Sequence, residues 1–189
     1  MDTSLSLLER LRGRPDEAAW RRFDDLYRPY LRRWLLRQPT LRDEAEDLVQ
    51  DVMSVLVREL PHFERERTGS FRRWLLHITV NRVRAYYRSR RHRPLAPGAD
   101  RWLAELQDPT SEMSRWWDQE HDQQVFDHLL ALVRPDFTAP TWEAFQRFAM
   151  QGQPADKVAA DLGTTRNAVI LAKRRILRRL RQEAAGLLD

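Results

Sequence analysis

Apolar residues recur along this chain at three- and four-residue intervals, and the strict alternation of a half-buried strand is nowhere sustained; the pattern predicts an all-α protein. Asp16–Tyr27 predicts a first helix with Trp20, Phe23 and Tyr27 on one side. Pro29 is expected to open a new helix, because proline fits a first turn and breaks an interior. Tyr30, Leu31, Trp34 and Leu35 continue the stripe until Pro39 and Thr40 end it. Arg42–Leu60 predicts a long helix with core positions Ala45, Leu48, Val49, Val52, Met53 and Leu56. After a charged loop, Pro61–Ser70, a fourth helix over Phe71–Arg91 packs through Phe71, Trp74, Leu75 and Ile78.

Composition shifts at Arg93, where RPLAPGAD opens a polar linker. The simplest organisation is two small helical domains, residues 1–93 and 114–189, joined by a linker over 94–113 with at most a short turn at Ala104–Leu106. Neither domain is large enough to be very stable alone. The second begins helical near Glu112, runs through Val125–Val133, breaks at Pro135–Pro140 and resumes at Thr141–Gln151. No internal repeat is visible.

The last pattern, Pro154–Arg181, is a short helix, a tight turn at Gly163 and a longer helix. Val158, Ala159 and Leu162 form one apolar face; Val169, Ala172, Ile176 and Leu180 form another, and Thr165 is a good N-cap. Any two-helix corner shows as much, so the hydrophobic pattern alone leaves DNA reading and a plain structural corner both open. The charges favour DNA: Arg166, Lys173, Arg174, Arg175, Arg178, Arg179 and Arg181 run without an acid among them, and a solvated helix face ordinarily mixes signs. This is the form of a helix-turn-helix whose second helix enters the major groove.

Composition bounds the alternatives. Hydrophobic residues at 42% support folded cores in 189 residues, and charged residues at 32% leave a heavily solvated surface. A net charge of +5 and a sequence pI near 10.2 suit a polyanionic partner without establishing one. The absence of cysteine excludes disulfides, thiol catalysis and cysteine-based metal sites. No apolar run approaches a membrane span and the N-terminus lacks a signal-peptide core, so the expectation is a cytoplasmic protein. His121 and His128 with Asp118 and Glu120 could be imagined as metal ligands, but their spacing and flanking charges read as a solvated helix face. Neither metal, cofactor nor enzyme activity is expected.

Two more surfaces carry information. On the third helix, Asp43, Asp47, Gln50, Asp51 and Ser54 lie opposite the apolar side. Acids in a first turn are favoured by the helix dipole, which accounts for Asp43, Glu44 and at most Glu46. Gln50, Asp51 and Ser54 continue the stripe two turns on, as a protein-contact surface would. On the fourth helix, His77, Asn81, Arg84, Arg88 and Arg91 share a face with Tyr87 adjacent, a set able to bind phosphates and exposed bases; the alternative is a solvated basic face with Tyr87 half buried. A simple repressor needs one DNA-reading element per monomer. Two such elements and a docking stripe fit a factor that bridges DNA and a larger machine.

Three motifs in order resemble one family. AEDLVQDVM at Ala45–Met53, FRRWLLHITVNRVRAYYR at Phe71–Arg88 and AADLGTTRNAVILAKRRILRRLR at the end are similar to the signatures of bacterial sigma factors of the extracytoplasmic-function (ECF) group, which keep only the second and fourth conserved regions. The resemblance covers roughly Trp20–Arg93 and Ser114–Glu183. It implies that Asp47, Gln50, Asp51 and Ser54 dock on the clamp helices of core RNA polymerase. It further implies that the loop Phe63–Ser70, with Asn81, Arg84, Tyr87, Arg88 and Arg91, captures a flipped base and the separated strand of the −10 element of promoter DNA. Thr165, Arg166, Asn167, Ile170 and Arg174 would read the −35 element. An anti-sigma factor is a further partner the family admits, and the free protein is expected to be a monomer. The chain departs from the family where Ala85 replaces an acid, where Met53 replaces a common aromatic, and in the recognition core NAVILAKRR. The promoter sequence therefore does not transfer from relatives. The rival reading is a stand-alone helix-turn-helix transcription regulator with its N-terminal helices as an interaction domain.

Overall fold

A computed structural model describes residues 7–13, 16–63, 70–89, 98–185 and 187 of the chain. Its elements are α1 (Leu7–Arg12), α2 (Glu17–Leu35), α3 (Ala45–Glu59), α4 (Ser70–Ser89), α5 (Ala99–Gln107), α6 (Glu112–Val133), α7 (Ala139–Phe145), α8 (Ala155–Asp161) and α9 (Arg166–Ala184). No β-strand occurs among the described residues, so the fold is all-α. The helices divide into two compact units, Leu7–Val125 with Leu187, and Phe126–Ala185.

The first unit is organised around α2. Asp16 caps it, its carboxylate accepting from the Ala19 amide at 2.9 Å, and that bond together with Arg10 holds the Asp16 pKa below its ordinary value. The helix runs straight through Pro29, against the expectation of a break there. The reason is packing. Phe23, Tyr27, Tyr30 and Trp34 are buried on both sides of Pro29, which is itself exposed, and four buried aromatics outweigh the roughly 3 kcal/mol of an interior proline. α3 packs against α2 and α4 through Leu48, Val49, Val52 and Leu56. It begins at Ala45, three residues later than expected, because Pro39–Leu41 forms a 3-10 turn that leads into it. α1 buries Leu7, Leu8 and Leu11 against α2 and the 3-10 turn Leu60–His62.

The expected linker over 94–113 and the boundary at 114 need correction. Residues 94–97 lie outside the described residues, but the segment that follows forms α5, entered through Gly98 at a left-handed φ of 90°. α5 buries Leu103 and Leu106 and packs against α4, while Glu112–Val125 of α6 belongs to the same unit. The anchor is aromatic. Trp117 packs edge-on against Tyr30 at 4.9 Å and tilted against Trp34 at 5.1 Å, and its carbonyl accepts the Tyr30 hydroxyl at 2.9 Å.

His121 is buried, not solvated. Its Nδ1–H donates to Asp122 at 3.1 Å, leaving Nε2 to accept the Tyr27 phenol proton at 3.2 Å. No group of metal-ligating side chains occurs among the described residues.

The second unit packs α7, α8 and α9 around Ala144, Val158, Ala159, Val169 and Ala172. α7 ends at Phe145 and continues as a π-helical turn, Gln146–Met150, in place of a uniform helix over Thr141–Gln151. α8 ends in a Schellman turn: the Thr164 amide donates to Ala159 O at 2.9 Å and Gly163 takes φ 61°. Thr165 then caps α9, its hydroxyl accepting from the Ala168 amide at 3.1 Å.

Trp117→Ala should destabilise the protein by about 3–5 kcal/mol in urea unfolding, while its neighbour Trp116→Ala, at 47% exposure against 1%, should shift it by no more than about 0.5 kcal/mol. Gly163→Ala should cost about 1–2 kcal/mol, all of it backbone strain, since a Cβ there meets no atom within 4 Å. Burial raises the Tyr27 and Tyr30 phenols well above their ordinary value. Above pH ~10 the unfolded chain loses these protons and the folded protein keeps them, so stability falls as pH rises. Tyr27→Phe should make that fall shallower by up to about 1.4 kcal/mol per pH unit, measured as urea midpoints across the alkaline range.

Candidate nucleic-acid and protein interfaces

Asp47, Gln50, Asp51 and Ser54 are exposed along one side of α3, which α2 and α4 fix from beneath. The stripe edges an open groove between α2 and α3, lined by Trp20, Asp24, Arg28, Gln50, Met53 and Val57 among others. Arg28 organises that edge: its guanidinium pairs with Asp24 at 2.9 Å, which raises its pKa, and also donates to Gln50 Oε1 at 3.2 Å. Ser54 Oγ donates to the Gln50 carbonyl at 2.8 Å. Val57, half exposed, gives the groove an apolar end. Sequence reading took Trp20 as a core position and passed over Val57 and Arg28.

α4 keeps its basic face open. Arg73, His77 and Arg88 are exposed, with Asn81 and Arg84 partly so, on one side of the helix. Leu75, Leu76, Val80 and Val83 on the other sides are buried. Tyr87 stands apart from this row. It lies half buried on the flank, its hydroxyl 2.7 Å from Thr40 Oγ1, and burial above all raises its pKa.

Phe63 is tied to the start of α4, its ring tilted over Trp74 at 4.7 Å and edge-on to Phe71 at 5.6 Å. Trp74, expected in the core, is half buried beside it. Residues 64–69 and Arg91 lie outside the described residues.

In the second unit, Arg166, Asn167 and Arg174 are exposed on α9. Thr165 spends its hydroxyl on the cap. Ile170 is half buried and lines a shallow groove with Phe148, Lys173, Leu177 and Arg178, Lys173 lying over the Phe148 ring at 5.1 Å. The arginine run, which holds no acid of its own, finds partners outside it. Arg179 pairs with Asp136 at 2.9 Å and with the buried Glu183, so it serves the fold; Arg166 lies 3.6 Å from Asp156. Arg174, Arg175, Arg178 and Arg181 stay at the surface.

The two faces of the first unit thus differ in sign, acidic on α3 and basic on α4. No helix among the described residues is long and apolar enough to cross a membrane. No curated protein matches the chain. Residues 19–93 match the sequence profile of sigma-70 region 2.

Proposed function

We propose that the protein is a sigma factor of the ECF type, which docks on core RNA polymerase through α3 and directs promoter-specific initiation. The observation that carries this reading is the match over residues 19–93, within which α3 and α4 present exposed faces of opposite sign. Asp47, Gln50, Asp51 and Ser54 would meet the polymerase clamp. Phe63, Asn81, Arg84 and Arg88 would hold the −10 strand, with Tyr87 at the edge. Asn167 and Arg174 on α9, beside Thr165, Arg166 and Ile170, would read the −35 element as the second helix of a helix-turn-helix. The mechanism is positional and non-catalytic. Opening the duplex costs about 1.4 kcal/mol per stacked step, and arginine–phosphate contacts with base stacking must offset it.

Mixed with purified core polymerase, the wild-type protein should comigrate as a holoenzyme on a sizing column and initiate transcription from genomic fragments. Asp51→Arg should abolish comigration without changing the unfolding curve. Arg84→Ala or Arg88→Ala should leave comigration intact and lower open-complex formation roughly tenfold, the effect of about 1.4 kcal/mol of lost strand contact. Sequence-specific duplex binding by the free protein, with no holoenzyme formed, would favour the stand-alone regulator instead.

A further inference from the structure

The chain holds seven tryptophans, and ring packing divides them. Trp20, Trp34, Trp74, Trp117 and Trp142 each pack against another aromatic ring. Among the described residues Trp102 and Trp116 pack against none, and Trp116 is half exposed. Yet these two line one pocket. It lies within the first unit, between α5, the first half of α6 and Arg37 just beyond α2, with Met113 and Glu120 among its other walls. Its volume, about 640 Å³, is that of a small-molecule site.

The walls are of a kind that takes a cation. Tryptophan offers a cation the best ring face of any side chain, and the Met113 thioether is soft and polarizable. A carboxylate lies with them. Glu120 pairs through Oε1 with Arg37, whose guanidinium lies over the Trp34 ring at 4.3 Å. Glu120 Oε2 is buried and accepts no hydrogen bond among the described residues, a costly condition that a nearby positive charge would relieve. The surroundings have the same sign. From Asp100 to Asp122 there are seven acids against Arg101 and Arg115, and counting Arg37 and Arg72, which pair with that segment, leaves acids ahead seven to four.

We infer that this pocket binds a small quaternary ammonium ion, its alkyl groups against the two indoles and its charge held by the field of Glu120. The type of cation follows from Oε2. Because that oxygen is shielded, no ligand N–H reaches it, and a primary amine or guanidinium would surrender hydration without gaining an acceptor there. A quaternary ammonium has no N–H to satisfy and needs only apolar contact and a field, which acts strongly through a low-dielectric wall. A nucleotide could stack on the indoles but would bring phosphate into acidic surroundings. The pocket shares no residue with the exposed rows of α3 and α4, so it stands whether or not those rows meet polymerase and promoter.

The test is calorimetric titration of the full-length protein with choline at constant ionic strength, beside its neutral isostere, in which tert-butyl replaces trimethylammonium. Choline should saturate one site and bind at least roughly tenfold more tightly than the isostere. Trp116→Ala, at an exposed position that the fold does not depend on, should weaken both ligands. Glu120→Gln should weaken choline roughly threefold to tenfold and leave the isostere unchanged, a split that a merely structural role would not give. Choline that fails to bind, an isostere that binds as well, or a Trp116→Ala variant that binds choline like the wild type would each overturn the site. Tighter binding of adenosine monophosphate than of choline would also overturn it, in favour of a stacked base.

Discussion

The first unit depends on one aromatic seam. Tyr27, Tyr30 and Trp34 of α2 meet Phe71 on one side and Trp117 and His121 on the other, with ring centroids between 4.9 and 5.8 Å. Fixing three helices in this way sets the height and rotation of α4, and through it the direction of Arg84 and Arg88. The seam also carries polarity. Two phenols and an imidazole are buried, and each finds a partner, so the seam specifies one arrangement where purely aliphatic packing would tolerate several.

Once α2, α3 and α4 are locked together, their outer faces are free to differ. α3 shows carboxylates and an amide, α4 shows arginines, and the groove between α2 and α3 mixes Arg28, Trp20 and Val57. Separation of sign on a small body would let each face meet a different class of partner by electrostatic complementarity, which governs orientation and encounter more than final affinity. In the second unit the division is made within α9 itself. Arg179 is turned inward to Asp136 and Glu183, while Arg174, Arg175 and Arg178 remain outside.

Helix periodicity made most of this legible. The buried positions on α3 and α9 are those the three- and four-residue spacing marks, and Gly163 and Thr165 play the local roles their chemistry dictates. What escaped were outcomes decided by tertiary contact. Pro29 is a helix breaker by propensity, yet its ring faces solvent while its neighbours bury aromatics. His121 sits among charges in sequence, but Trp117 and Val125, four residues to either side, place it on the buried side of α6. The segment around α5 looked like a linker because Pro94, Pro97 and Gly98 precede it; Leu103 and Leu106, three apart, were the overlooked sign of a packed turn. For the interfaces, the exposed rows on α3 and α4 and the place of Tyr87 beside the basic row were readable, whereas the Phe63–Trp74 stack and the groove beside Ile170 depend on tertiary packing that no periodicity marks.

The π-helical turn at Gln146–Met150 has a bearing on how this chain tolerates change. One extra residue per turn rotates everything after Phe145 relative to a regular helix, and that rotation sets Phe148 beneath Lys173. Loss of a single residue there would restore ordinary winding and swing Phe148 away from α9. Insertions and deletions across those five positions, harmless in a surface loop, would here misalign the floor of the groove beside Ile170.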